Sequence, residues 1–309
     1  MICLLYAGQG SQAVGMGLDF YEADPDAKAL YDRYPQIREA SFYGPQESLN
    51  ETAMTQPAMG LFAAVVTDYL TTRGLAPDMA MGLSLGEYSA LYAAGSFSSD
   101  QLVQLLEVRG AAMQEAGQLR PGAMAAVLGL DRDRVGAICA DLAAETGQVI
   151  ALANDNAPAQ QVIGGEKAAL EEATQRLKAA GARRIVPLQV SGAFHTPLMA
   201  PAAEALAKAL AQTPPRAPRI PVLANASAGR LADDGVTESL LAQLTSPVRL
   251  VESFEQAAAL GARTFIEIGP GKVLTGLVRK ALGRDLAVYA VETLAEADDL
   301  LAYLGGKDD

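Results

Sequence analysis

The 309-residue chain has no tryptophan, one histidine and two cysteines. Two thiols, Cys3 and Cys139, offer neither a disulfide framework nor a metal-ligand spacing. Cys3 falls in an apolar, strand-like run and Cys139 in a helical pattern, so both are expected to be buried. No run approaches the roughly 18 apolar residues of a membrane span. The first residues, Met1–Ala7, are too short and lack the basic flank of a signal peptide. They read as a first strand, and the expected address is the cytoplasm. Positive charge is scarce: 24 Lys and Arg stand against 36 Asp and Glu, for a net charge of −12. That balance excludes a basic nucleic-acid-binding face as the main feature and disfavours an anionic membrane as a target.

Hydrophobic residues make up 50% of the chain and charged residues 19%, a composition suited to a globular enzyme and too apolar for disorder. Strand-like and helix-like stretches alternate, which predicts an α/β fold with a mostly parallel sheet. A glycine loop, Gly8-Gln9-Gly10-Ser11-Gln12, follows the first strand. Thr55-Gln56-Pro57 reads as the start of a helix to about Thr72, and Ser98-Ser99-Asp100 as the cap of another to about Ala116. The segment 117–122 looks like a boundary. Beyond it strands at 123–130, 149–154, 161–164 and 184–189 and helices at 132–145 and 167–180 follow the order β-α-β-β-α-β. That is the ferredoxin-like order, expected as an insertion in the larger domain. The resulting division is 1–121 and 190–309 for the large domain and 122–189 for the small one. After it, helices at 200–212, 238–244, 248–260 and 273–281 and strands at 220–225, 264–269 and 285–291 resume the α/β rhythm. The polar tail, 305–309, reads as frayed.

The segment Gly82-Leu83-Ser84-Leu85-Gly86 reads G-x-S-x-G. An apolar stretch, 77–81, precedes it and a helix-forming stretch, 87–94, follows. Strand, sharp turn and helix are the context of a nucleophile elbow, with Ser84 exposed at its tip. The helix start directs free N–H groups toward an anion forming beside Ser84. A serine that must lose its proton near pH 7 needs a neutral base. The one histidine, His195, lies where a strand-like run ends at Ser191-Gly192 and a helix begins near Thr196-Pro197. Catalytic side chains are often presented from such loops. A surface or helix-capping histidine is the alternative.

These two segments, the glycine loop at 8–12 and Glu267-Ile268-Gly269-Pro270-Gly271-Lys272-Val273-Leu274 occur in one order along the chain. Together they closely resemble the malonyl-CoA:acyl-carrier-protein transacylases over nearly its whole length. The resemblance implies a large α/β-hydrolase-like domain, an inserted ferredoxin-like subdomain and an active site in the cleft between them. It makes Ser84 the nucleophile, His195 the general base, and the backbone N–H groups of Gln9 and Leu85 the oxyanion hole. Arg109 matches the arginine that binds the malonyl carboxylate, a task suited to a planar guanidinium. A helix-surface arginine paired with Glu107 or Glu115 is the alternative. Gln243 matches the residue whose backbone carbonyl orients the histidine. Met113 and Phe194 match pocket walls, and Asn154 and Asn156 match asparagines at the cleft edge.

The implied reaction is ping-pong transfer of malonyl from malonyl-CoA to the phosphopantetheine thiol of acyl carrier protein, in fatty-acid or polyketide synthesis. No metal or organic cofactor enters it, and neither nucleic acid nor membrane is an expected partner. The sequence departs from the common pattern at Leu83, where many members have histidine, and at Tyr6-Ala7, where Phe-Pro is more usual. A carrier protein is acidic, so docking needs a local basic patch, for which Arg183-Arg184 and Arg279-Lys280 with Arg284 are candidates. A serine hydrolase and a non-catalytic docking module remain the competing readings.

Overall fold

The structure, a computed structural model, describes residues 1–305; the tail beyond Gly305, and with it most of the segment read as frayed, lies outside the described residues. Two five-stranded sheets organise the chain. The first runs in the order β10-β9-β1-β2-β7, with β1 at Ile2–Tyr6, β2 at Met79–Gly82, β7 at Val222–Leu223, β9 at Thr264–Ile268 and β10 at Ala287–Val291. Every pairing in it is parallel. Strands β1 and β2 are apolar and almost wholly buried, as strands covered on both faces must be. Because all run the same way, the carboxyl ends of β1 and β2 and the loops leaving them open onto one edge, where α/β sheets bind ligands.

The second sheet has the order β6-β3-β5-β4-β8, with β8 the short strand Val248–Arg249. Strands β3 (Gly122–Leu128), β4 (Ile150–Ala157), β5 (Gln160–Glu166) and β6 (Arg184–Pro187) pair antiparallel. Helices α8 (Arg132–Thr146) and α9 (Lys167–Ala179) pack on it and close a separate core around Val127, Cys139, Leu142, Ile163 and Leu177. Order and connection are ferredoxin-like, as the sequence predicts. Both cysteines are buried, Cys3 in β1 and Cys139 in α8.

The fifth strand of this sheet corrects the sequence reading. Residues 248–260 were expected to form one helix, but Val248–Arg249 pairs parallel with β4 as β8, and α12 begins only at Leu250. A β-branched residue directly after Pro247 suits a strand better than a first helical turn. The chain thus stitches its C-terminal half to the small sheet. The strand expected at 184–189 ends at Pro187, so Ser191-Gly192 is loop. Helix α5 starts at Thr52, not Thr55, with Pro57 inside it. It runs to Thr72 with most of its surface buried between other elements. Helix α7, Ser99–Leu119, carries the expected Ser98 cap, a reciprocal capping box with Gln101, and packs along α5.

Four short helices went unread: α1 (Leu18–Ala23), α2 (Pro25–Asp32), α3 (Pro35–Tyr43) and α4 (Gln46–Leu49). So did α14, Leu294–Gly305. Helices α6 (Gly86–Ala93), α10 (Ala200–Gln212), α11 (Val236–Thr245) and α13 (Val273–Leu282) complete the fold. No helix among the described residues is long and apolar enough to cross a membrane.

Candidate active site

Ser84 stands between β2 and α6 with φ +56°, a left-handed conformation that costs a non-glycine residue energy and persists only where its surroundings hold it. The surroundings are explicit. The Ser84 N–H donates to Asn225 Oδ1 at 2.7 Å, and Asn225 Nδ2 donates to the Gly82 carbonyl at 2.7 Å. One side chain therefore clamps both sides of the turn. The turn also needs its glycines: a Cβ on Gly82 would lie 2.1 Å from the Gly86 carbonyl carbon, and one on Gly86 would lie 2.2 Å from the Tyr6 carbonyl oxygen.

His195 lies in the loop between β6 and a single 3-10 turn, Pro197–Met199, and is itself left-handed at φ +58°. Thr196 caps that turn, accepting from the Leu198 N–H. The imidazole is buried, with Nε2 2.8 Å from Ser84 Oγ and Nδ1 2.8 Å from the Gln243 carbonyl oxygen. A carbonyl only accepts, so Nδ1 carries the proton and Nε2 presents its lone pair to the serine. Burial and the neighbouring Arg109 charge push the His195 pKa down to about 4, against the opposing pull of the Gln243 carbonyl. The ring is neutral at pH 7.

Arg109 does not pair with Glu107 or Glu115. It points inward from α7 and is 1% exposed. Its Nη1 donates to Gln56 Oε1 at 2.7 Å; its Nη2 donates to Gln243 Oε1 at 2.9 Å and to Ser84 Oγ at 3.0 Å. The ring of Tyr88 lies under the guanidinium at 5.3 Å. All three hydrogen-bond acceptors are neutral oxygens, and Arg109 makes no ion pair among the described residues. Burial draws its pKa down, while Tyr88 and Glu87 oppose the shift; an arginine still keeps its proton. Its Nε is buried without a hydrogen-bond partner among the described residues.

The glycine loop runs alongside. Gln9 Nε2 donates to Thr52 Oγ1 at 3.1 Å, and Thr52 Oγ1 lies 2.9 Å from Ser191 Oγ. Neither the Gln9 nor the Leu85 backbone N–H has a hydrogen-bond partner among the described residues. Such free donors beside a nucleophile suit a developing oxyanion. A cavity of about 140 Å³ opens beside Gln9 and Ser84; Leu85 and Arg109 lie behind its lining. Gln9, Ser84 and His195 line it, together with the predicted Met113, Phe194, Asn154 and Asn156. Met124, Val162, Leu188 and Val190 add an apolar wall from the small sheet and the loop after it. Asn156 Oδ1 is buried and has no hydrogen-bond partner among the described residues. No cluster of His, Cys, Asp or Glu suited to a metal ion occurs among the described residues.

Three residues of the cluster escaped sequence reasoning. Gln56 accepts from Arg109 and donates to Met113 Sδ at 3.3 Å. Its signal was no more than a polar side chain just ahead of the apolar run of α5. Asn225 had none beyond the end of a short strand. Glu87 follows the elbow directly yet read only as a helix former. It is fully buried, and burial pushes its carboxyl up to about 7 against the Asn225 N–H, the Gln243 amide, the Arg109 charge and the Ser239 hydroxyl.

Residues 3–298 match the acyl transferase domain family. A malonyl CoA-acyl carrier protein transacylase of Bacillus subtilis is 42% identical over 313 residues, covering 96% of this chain and 98% of that protein. The solved acyl carrier protein S-malonyltransferase of Vibrio cholerae superposes with a TM-score of 0.92 at 40% identity, covering 97% of this chain and 99% of that one. A malonyl-transacylase solved in complex with its type II PKS acyl-carrier protein gives 0.91 at 36% identity over 98% and 99% of the two chains. The chain belongs to the acyl transferase family.

Proposed function

We propose that this protein transfers the malonyl group of malonyl-CoA to the phosphopantetheine thiol of acyl carrier protein through a malonyl-serine intermediate, in fatty-acid or polyketide synthesis. The observation that carries the reading is the buried Arg109 guanidinium in hydrogen-bond contact with Ser84 Oγ. A serine hydrolase needs no cation there; an acyl group ending in a carboxylate does. The names of its relatives support the same substrate pair.

The malonyl carboxylate binds Arg109. Ser84 Oγ attacks the thioester carbonyl carbon as its proton passes to His195 Nε2. The tetrahedral oxyanion takes hydrogen bonds from the Gln9 and Leu85 N–H groups. When the intermediate collapses, the C–S bond breaks and His195 returns the proton to the CoA sulfur. Malonyl-Ser84 remains. The carrier thiol then gives its proton to His195 and attacks the ester, and Ser84 recovers its proton as the new thioester leaves. One thioester is exchanged for another, so no energy source is consumed. The apolar wall of Met113, Phe194 and the small sheet keeps water from competing with the thiol.

The same reading divides the chain into a large domain, 1–121 and 190–309, and a small one, 122–189, with the cleft between them, and places the protein in the cytoplasm. Ser84→Ala tests the intermediate. Incubated with malonyl-CoA, the wild type gains one malonyl mass by intact-protein mass spectrometry and the variant gains none. A malonylated Ser84→Ala protein refutes Ser84 as nucleophile.

A further inference from the structure

Glu87 is fully buried and touches none of the reacting atoms, yet three catalytic-site groups converge on its neighbour. The Gln243 carboxamide donates from Nε2 to Glu87 Oε2 at 2.7 Å and to the Ser84 carbonyl at 3.0 Å, and accepts at Oε1 from Arg109 Nη2 at 2.9 Å. The same Glu87 oxygen also accepts from the Asn225 N–H at 3.0 Å, whereas among the described residues Oε1 meets only the Ser239 hydroxyl, at 3.5 Å.

A carboxamide has nearly the same shape either way round, so its neighbours decide its orientation. Here they decide it without ambiguity. The nitrogen end faces the Ser84 carbonyl, Asn225 Oδ1 at 3.4 Å and Glu87 Oε2, the carboxyl oxygen that also accepts from the Asn225 N–H, and a guanidinium that only donates sits at the oxygen end. Reversing the amide would set NH2 against the guanidinium and the carbonyl oxygen against these oxygens. Gln56, the other carboxamide on Arg109, likewise turns its oxygen to the guanidinium, but its nitrogen end meets the weak sulfur acceptor of Met113. The interposed amide has a second consequence. It keeps the Glu87 carboxylate off Arg109, so the two do not close into an ion pair that would neutralise the guanidinium before an acyl carboxylate arrives.

We propose that Glu87 is a positioning residue for acyl selection: by accepting from Gln243 Nε2 it holds Gln243 Oε1 against Arg109, and so aims the guanidinium at the acyl carboxylate. This rests on the reading of Arg109 as the carboxylate anchor. The required feature is an acceptor at the Oε2 position. Glutamine supplies one with its amide oxygen and can direct its NH2 to Ser239. Aspartate withdraws it by one methylene, and alanine removes it.

The test measures Ser84 acylation rates with malonyl-CoA and acetyl-CoA on wild type, Glu87→Gln, Glu87→Asp and Glu87→Ala. The Gln variant keeps the malonyl-to-acetyl ratio of kcat/KM within about threefold of wild type. The Asp and Ala variants lower it about tenfold or more, mainly by raising KM for malonyl-CoA, the scale of a lost hydrogen bond to a charged group. If alanine fails to fold, the Asp and Gln pair decides. An unchanged ratio in Asp and Ala, with both acyl donors slowed equally, makes Glu87 mere elbow packing and overturns the proposal. So does a Gln variant as unselective as Asp. A wild type without malonyl preference instead refutes the anchor itself, which separates the two failures.

Discussion

Arg109 Nη2 donates to Ser84 Oγ across 3.0 Å, so the proposed substrate anchor and the nucleophile are hydrogen-bonded to each other. The same nitrogen donates to Gln243 Oε1, which occupies both of its hydrogens. Nη1 has one hydrogen committed to Gln56, and Nε has none committed. A carboxylate that takes two parallel hydrogen bonds from neighbouring guanidinium nitrogens must use Nη2, which belongs to both forks, and so must displace one of its partners. Displacing Ser84 would free Oγ from a donor while leaving its contact with His195 Nε2 in place.

Arg109→Ala therefore changes acyl choice as well as rate. Losing a desolvated charge pair penalises malonyl-CoA by about 2–5 kcal/mol, while acetyl-CoA, which has no carboxylate, loses little. Arg109→Lys recovers part of the loss, since a point charge replaces a bidentate fork. The check is the ratio of kcat/KM for the two acyl-CoAs. A ratio left intact by Arg109→Ala sinks the anchor and favours a serine hydrolase.

Acylation should persist to unusually low pH. The base must be neutral, and the His195 pKa is held at about 4 by burial and Arg109. The rate of Ser84 malonylation is then level from pH 8 to pH 5 and falls only as pH approaches 4. An acid limb near the ordinary histidine value of about 6.5 would show that the ring is not buried beside the guanidinium as observed.

Glu87→Gln should gain on the wild type in stability as pH rises. The folded carboxyl titrates at about 7 against a reference of 4.5. Between those values the native state holds a proton that the unfolded chain has released, so wild-type stability falls with rising pH. Glutamine does not titrate. The difference between variant and wild type grows by ~3 kcal/mol from below pH 4.5 to above pH 7, at about 1.4 kcal/mol per pH unit. Denaturant midpoints at pH 4, 6 and 8 measure it; a constant difference contradicts the raised pKa.

Gly86→Ala should destabilise the elbow by about 1–3 kcal/mol or more, the cost of forcing atoms into a packed interior. The added methyl meets the Tyr6 carbonyl in β1, a backbone atom of a central strand that has nowhere to retreat. Equilibrium denaturation shows it, and wild-type stability in the variant would mean the strand–helix approach is looser than described.

Much of the site was legible because its chemistry needs few residue types in short motifs. A serine between glycines and a lone histidine before Thr-Pro can each be found by eye, whereas Arg109 and Gln243 stand out only through the family resemblance, since a helical arginine by itself reads as a surface residue. The structure brings Ser84, His195, Arg109 and Gln243 within hydrogen-bond contact of one another. Asn225 and Glu87 were not legible. Asn225 reaches Ser84 across 141 positions, and no local pattern marks a residue whose role is to meet a distant one. The four helices between 18 and 49 are 6, 8, 9 and 4 residues long, too short to display a 3.6-residue period. Val248–Arg249 became a strand because an edge of the small sheet was there to pair with, which is information the segment itself does not carry.

Local chemistry in the sequence determined the alternation of strands and helices, the ferredoxin-like order of the small sheet and the glycine-flanked elbow, since each depends on neighbours a few residues away. Tertiary structure alone decided that Arg109 is buried with neutral partners rather than paired on a helix surface, that His195 is held neutral, and that Gln243 joins nucleophile, base and guanidinium through one residue. Those are properties of burial and of contacts between distant segments, and they exist only once the two sheets and the helices around them have closed over the cleft.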